Sequence, residues 1–291
     1  MAASLVFTLH NYAREHELQR VATWEFPASM PDPSARWIIF IHGGAWRDPS
    51  NTYRDFVPTI EAILSSQSVP QSSIRGFASI DYRLSTHPSH PQDPATPADR
   101  LRCAKHPDHI RDVCLALRYL QAKYNVRDKY ILIGHSVGAT LAFQLLMGGQ
   151  ATGHGSSELT GTDSLPLPAA IVGVAGIYEF YDFAHRHGGP YITMVEGALG
   201  ADHSKWNAAA PLKASYVDRW PGDRRTLLSY SVEDSLVDGD PETTAMADRL
   251  RSDGIHTDIT LIQGEHDFAW QDGKQIAALV AQIHGNLEDS E

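Results

Sequence analysis

The pentapeptide Gly134-His135-Ser136-Val137-Gly138 constrains this chain more than any other stretch. Before it, Lys129 to Ile133 reads as a buried strand; after it, Val137 to Met147 reads as a helix closed by Gly148-Gly149. A strand that turns into a helix within so few residues forces strained backbone angles on the serine and crowds its neighbours. Glycine two residues to either side is therefore a steric requirement. The helix start presents backbone N–H groups and a positive dipole end to an oxygen that becomes negative during acyl transfer. This local pattern predicts a nucleophilic serine, Ser136, carried on an α/β scaffold.

The rest of the chain supplies that scaffold. Apolar runs bounded by turn residues recur at Trp37–Ile41, Gly76–Tyr82, Tyr130–Ile133, Ala170–Ala175, Thr226–Ser231 and Asp258–Ile262. Nearly continuous apolar character suits strands buried on both faces of a parallel sheet. Between them lie helical patterns. Ile110, Val113, Cys114, Leu117 and Leu120 repeat at helical spacing with Asp108 as N-cap, and Pro241 opens a helix that Gly254 follows. Phe268 to Ile283 reads as one last amphipathic helix. The alternation predicts a doubly wound, mostly parallel sheet flanked by helices, in a single domain spanning residues 1–291. Three segments break the rhythm. Residues 85–107 are expected to wrap the surface near the strand ends, and 148–168 to form a mobile excursion. The aromatic-rich stretch 177–221 is either a cap over the active site or a helical extension of the core.

A serine hydroxyl needs a base to take its proton and a third group to orient that base. On this kind of scaffold the order along the chain is serine, acid, histidine. The last strand runs into Gln263-Gly264-Glu265-His266-Asp267, which makes His266 the candidate base. His256 and His284 read as surface residues, and nothing places His154, His185, His187 or His203 near the serine. The preceding strand ends in Val232-Glu233-Asp234-Ser235-Leu236-Val237-Asp238, where Asp234 fits the acid best, with Glu233 and Asp238 as alternatives. The motif His42-Gly43-Gly44-Ala45-Trp46 directly follows the first of the apolar runs. Its glycines let the N–H groups of Gly43 and Gly44 turn toward a developing oxyanion, with the N–H of Val137 completing the hole. His42 reads as a structural residue beneath that loop.

Composition excludes other classes. A net charge of −11 argues against nucleic acid and offers no basic stripe to anionic membranes. No stretch reaches membrane-spanning length, and the N-terminus shows no secretory pattern. The two cysteines, Cys103 and Cys114, form no CxxC pair, which fits packing thiols in a reducing, cytoplasmic setting. Despite 15 histidines there is no HExxH, and the spaced pair His87 and His90 holds a proline between them, so no metal is expected. No dinucleotide fingerprint or phosphate-binding loop occurs, so no cofactor is implied either.

Taken together, these residues resemble the kynurenine formamidases (arylformamidases) of the α/β-hydrolase fold, in the fungal form. The resemblance rests on His42-Gly43-Gly44-Ala45-Trp46, which matches that family's HGGxW where lipase-like esterases usually carry HGGG. It rests also on Arg47-Asp48-Pro49 with Asn51-Thr52, Asp81-Tyr82-Arg83-Leu84, His106-Pro107-Asp108-His109, and Gly134 to Thr140. It runs from about residue 37 to 270, although 85–107 and 148–168 look longer than the family requires. It implies Ser136, Asp234 and His266 as nucleophile, acid and base, and hydrolysis of N-formyl-L-kynurenine in tryptophan catabolism. Trp46 and the aromatics of 177–221 would wall the aromatic leaving group, and a homodimer is plausible from the family. HGGxW also occurs in general esterases, so a carboxylesterase of small acyl esters is the alternative.

Overall fold

A computed structural model describes residues 5–27, 34–152, 165–220 and 224–289. Eight strands form one sheet: β1 (Val6–Asn11), β2 (Arg20–Glu25), β3 (Arg36–Ile41), β4 (Ile74–Ile80), β5 (Tyr130–His135), β6 (Ala170–Val174), β7 (Arg225–Ser231) and β8 (His256–Ile262). Their spatial order is β1-β2-β4-β3-β5-β6-β7-β8. From β4 to β8 every pairing is parallel, whereas β1 and β2 join antiparallel at one edge. These two edge strands have no counterpart among the sequence-predicted runs. β1 exposes Val6, Phe7 and Leu9, and so lacks the continuous burial that marks a central strand.

Nine helices are described: α1 (Val57–Ser66), α2 (Asp108–Tyr124), α3 (Val137–Met147), α4 (Tyr181–His187), α5 (Gly189–Leu199), α6 (Trp206–Ala209), α7 (Gly239–Ser252), α8 (Phe268–Asp272) and α9 (Lys274–Glu288). Alternate residues of the central strands feed two cores. Ile39, Ile41 and Leu132 face α2, α3 and the 177–220 segment, while Ile38, Phe40, Ile131 and Ile133 face α1 and α9. Burying branched apolar side chains on both faces is what makes the central strands read as unbroken hydrophobic runs.

Several local expectations are corrected. Asp108 is the first residue of α2, with Pro107 at the cap position. α7 begins at Gly239, ahead of Pro241. The last helix is two helices, broken at Gly273 (φ 71°), where any Cβ would strike the backbone of Pro58 at the start of α1. His284 is 5% exposed because its face of α9 turns toward the core. Cys114 is buried in the core, but Cys103 is exposed. Of the 148–168 excursion, residues 153–164, including His154, lie outside the described residues.

Candidate active site

The parallel strands all end on the same side, and their C-terminal ends deliver the candidate site residues. β3 leads into His42-Gly43-Gly44, β5 into Ser136, β7 into Asp234 and β8 into His266. Ser136 has φ 53° and ψ −123°, and its N–H donates to the Val174 carbonyl at 2.8 Å. A Cβ on Gly134 would collide with the Gly138 carbonyl, and one on Gly138 with the Ile41 carbonyl. The pentapeptide glycines thus permit the strand–helix contact that holds the strained serine in place.

Asp234 sits with its side chain 1% exposed. Its Oδ2 accepts from His266 Nδ1 at 2.7 Å, and its Oδ1 accepts from the N–H groups of Leu236 and Val237 at 2.8 and 3.0 Å. Burial alone would raise its pKa, yet the hydrogen bonds from His266, Leu236 and Val237 hold it below the usual carboxylate range. The bond fixes the imidazole with hydrogen on Nδ1, leaving Nε2 bare to accept a proton. The two alternative acids have other partners. Glu233 Oε2 accepts from the Gly264 N–H at 2.5 Å, tying the β8 loop to the β7 loop, and Glu265 Oε2 returns the tie by accepting from Ser235 Oγ at 2.7 Å. Asp238 lies 3.2 Å from Arg186 and 3.0 Å from His187, both on α4.

His135 is a positioning residue that its place inside the pentapeptide did not disclose. It is 1% exposed, and burial together with the nearby His266 pushes its pKa down to about 3, so it is neutral. Its Nε2–H donates to the His266 carbonyl at 3.0 Å, and the two rings lie 4.7 Å apart. The residue before the serine therefore fixes the backbone of the histidine.

The Gly43-Gly44 loop is held from below by Tyr82. Its hydroxyl reaches the carbonyls of His42 at 3.1 Å and Gly43 at 2.9 Å, and its ring stacks on His42 at 4.4 Å. Burial keeps that phenol protonated and able to donate. In a trans peptide the N–H points opposite the carbonyl before it. Pinning those two carbonyls on Tyr82 thus aims the N–H groups of Gly43 and Gly44 away from it. Among the described residues these two N–H groups, and that of Val137, donate to no acceptor. His42 is buried under the loop, where its Nδ1–H donates to the Gly43 carbonyl at 3.0 Å. The neighbours of Tyr82 brace the same unit: Asp81 accepts from Arg20 at 2.6 Å and from the Tyr53 N–H at 2.5 Å, and Arg83 grips Asp112 with two nitrogens at 2.8 and 2.9 Å.

Ser136 and His266 open into one cavity of about 260 Å³. Gly44, Ala45, Leu236, Val237 and Asp267 line its floor beside them. Its wall comes from Ile177 and from Phe183, Pro190, Tyr191 and Met194 of α4 and α5. Arg47, Asp48, Asn51 and His87 complete the rim. Trp46 does not line the cavity: it is 3% exposed and meets Phe180 edge-on at 5.8 Å. Positive φ angles at Gly44, Ala45 and Trp46 turn the loop so that the indole points into the core. The 177–221 stretch divides between its two readings. α4 and α5 cover the cavity, whereas Trp206, Tyr216 and Trp220 are buried in the core. Among the described residues two groups bring three potential metal-ligand atoms within 4.8 Å of one another, Asp48–His87–His90 at the rim and His135–His266–Asp267 on the floor. In the second, His266 Nδ1 and His135 Nε2 already serve Asp234 and a carbonyl.

Residues 26–240 match the BD-FAE family. The chain is 45% identical over 259 residues to a kynurenine formamidase of Meyerozyma guilliermondii, spanning 86% of this chain and 85% of that protein. It is 34% identical to the kynurenine formamidase-like hydrolase fscH of Fusarium equiseti, over 87% of this chain and 84% of the relative. With the kynurenine formamidase avaC of Aspergillus versicolor it shares 32% identity, over 84% and 87% of the two chains. Esterase B from Lactobacillus rhamnosis superposes with a TM-score of 0.68 at 16% identity, covering 99% of this chain and 88% of that one. At that identity the likeness speaks for the α/β-hydrolase fold alone. Among the described residues no helix is long and apolar enough to cross a membrane.

Proposed function

This chain belongs to the kynurenine formamidases, α/β-hydrolases that match the BD-FAE family, and from that premise we propose that it hydrolyses N-formyl-L-kynurenine to L-kynurenine and formate. The observation that carries the reading is the buried Asp234–His266 pair opening, with Ser136, into a single cavity. Ser136 Oγ attacks the formyl carbon while His266 Nε2 takes its proton. The imidazolium so formed is stabilised by Asp234. The carbonyl oxygen becomes an oxyanion against the N–H groups of Gly43, Gly44 and Val137, preorganised donors that need no rearrangement as charge develops. His266 then hands the proton to the departing aniline nitrogen, the C–N bond breaks, and a formyl ester remains on Ser136. Water, deprotonated by His266, attacks that ester, and formate leaves as Ser136 recovers its proton. A formyl group carries no alkyl chain, so the acyl side needs little room, while Phe183, Tyr191 and Met194 offer the aromatic leaving group an apolar wall.

The same machinery would serve a carboxylesterase of small acyl esters, and only the leaving-group side separates the two. Comparing kcat/KM for N-formyl-L-kynurenine and p-nitrophenyl acetate, with Ser136→Ala as the blank, tests the assignment. A large preference for the formamide, abolished in the variant, is expected. A preference for the acetate would make the chain an esterase, and activity surviving in Ser136→Ala would move the nucleophile elsewhere.

A further inference from the structure

N-formyl-L-kynurenine carries a full positive and a full negative charge on the amino-acid end of its leaving group. A cavity that selects it needs one anchor of each sign, set apart from the serine. Arg47 and Asp48 are neighbours on the rim of the cavity that holds Ser136 and His266. Arg47 is half-buried, and its Nε is removed from solvent without a hydrogen-bond partner. Among the described residues no carboxylate lies within ion-pair distance of it. A guanidinium nitrogen withdrawn from water and left without an acceptor is costly unless a ligand completes it. Burial lowers its pKa, and only the nearby charge of Asp48 opposes that. Asp48 has one oxygen, Oδ1, committed to the N–H and hydroxyl of Ser50 at 2.9 and 2.6 Å. Its Oδ2 makes no hydrogen bond among the described residues, and although burial works against ionisation, the bonds from Ser50 help keep the carboxyl below its usual range.

The backbone joins this pair to the reacting centre. The N–H groups of Arg47 and Asp48 both donate to the Gly44 carbonyl, at 2.9 and 2.8 Å. Gly44 in turn is packed against Asn51, whose Nδ2 is tied to Asp55 at 2.7 Å. The charged pair is therefore carried on the same loop as the candidate oxyanion donors. Resting on the formamidase reading, we propose that Arg47 and Asp48 form the subsite for the amino-acid end of the substrate, Arg47 binding the α-carboxylate and Asp48 the α-ammonium. His87, which accepts the Ser89 N–H at Nδ1, keeps its hydrogen on Nε2 and adds a neutral donor at the same rim. A simple ester presents neither charge, so this subsite acts on specificity and leaves the chemistry to the residues on the floor.

The test is a set of calorimetric titrations of wild type, Arg47→Met, Arg47→Lys and Asp48→Asn with three ligands. These are L-kynurenine, its desamino analogue (carboxylate kept, ammonium lost) and ortho-aminoacetophenone, which lacks both charges. Wild type is expected to bind them in that order of affinity. Arg47→Met should erase the gap between the desamino analogue and the acetophenone, a loss of about 10- to 100-fold for one charge-assisted hydrogen-bonded pair. Arg47→Lys should restore part of it, because the charge returns without the planar fork. Asp48→Asn, which keeps an acceptor for Ser50, should close the gap between L-kynurenine and the desamino analogue instead. Equal wild-type affinities, or a loss in Arg47→Met shared by all three ligands, would overturn the proposal. So would a wild type that binds none of them. The titrations need no turnover: a wild type that ignores aryl formamides yet shows the graded affinities loses the formamidase assignment and keeps the subsite.

Discussion

Glycines on the two sides of the cavity are there for different reasons. On the floor, a Cβ at Gly134 or Gly138 would strike backbone carbonyl groups, whereas on the wall a Cβ at Gly188, Gly189, Gly197 or Gly200 would meet nothing within 4 Å. The floor rests on the strand ends Ile41, His135, Val174 and Ser231, 0% to 5% exposed, cross-tied by Tyr82, His135 and the Asp234–His266 pair. The wall is two short helices, α4 and α5, which bury Phe183, Ala184, Val195 and Ala198 in the core and add polar ties: Arg186 to Glu242 at 3.0 Å and the Tyr191 hydroxyl to the Leu236 carbonyl at 3.0 Å. Close packing fixes the first region to fractions of an ångström, while the second leaves room for residues to change. In the proposed function, chemistry that tolerates little displacement sits on the first, and recognition falls to the second and to the charged rim.

Substitutions on the two sides should separate accordingly. Asp234→Asn is expected to lower kcat by about 10⁴-fold with the fold intact, because the amide stabilises neither the tautomer nor the imidazolium. A near-normal rate in steady-state assays would transfer the role to another carboxylate. Gly138→Ala should cost about 3 kcal/mol in urea unfolding, at the upper end for overpacking, since the clash is with backbone and cannot relax by a rotamer change. A variant of unchanged stability would show that the floor gives way more easily than its packing implies.

Two buried histidines, His135 beside Ser136 and His109 on α2, give a pH signature. His109 and His135 are both held neutral, with pKa values pushed by burial from 6.5 to about 3. Between those values the unfolded chain binds more protons than the folded one, so stability is complete above pH 6.5 and falls as the pH drops toward 3. By about pH 5.5 each should have cost about 1.4 kcal/mol, readable as a lower urea midpoint than at neutral pH. A flat profile would mean that these rings gain protons without unfolding. Tyr82→Phe should then lower kcat about 10-fold, less than removal of an oxyanion donor itself, because it only loosens the loop that aims the N–H groups. Unchanged kcat would mean that His42 holds the Gly43 carbonyl well enough alone. The smallest effect belongs to the wall: Gly197→Ala, helical and unobstructed, should raise stability by about 0.5–1 kcal/mol. A loss of stability there would show the wall to be as tightly packed as the floor.

The legible parts of this chain were those whose cause is local. Apolar runs marked six strands: the parallel sheet buries both faces of β3 to β7, and β8 at the far edge is partly exposed, while β1 at the other edge and β2 beside it left no comparable trace. The helix after Ser136 was readable to the residue because its boundaries are set by the pentapeptide and by Gly148. The break at Gly273 was not, since it depends on the approach of α1 from far along the chain. Trp46 looked like a substrate wall by its place in the motif, yet three successive positive φ angles turn it inward.

By itself the sequence determined where a strained serine sits, which loops follow the strand ends, and that three residue types suited to acyl transfer occur in the required order. Those features follow from local sterics and hydrophobic periodicity, which act within a few residues. Only the tertiary structure decided that Asp234, rather than Glu233 or Asp238, bonds to His266, that His135 and Tyr82 fix the backbone around them, and that Arg47 and Asp48 share the serine's cavity. Each of those outcomes depends on side-chain direction and on contacts between segments distant in sequence. One residue of shift in a loop would redirect them all, and no local pattern records it.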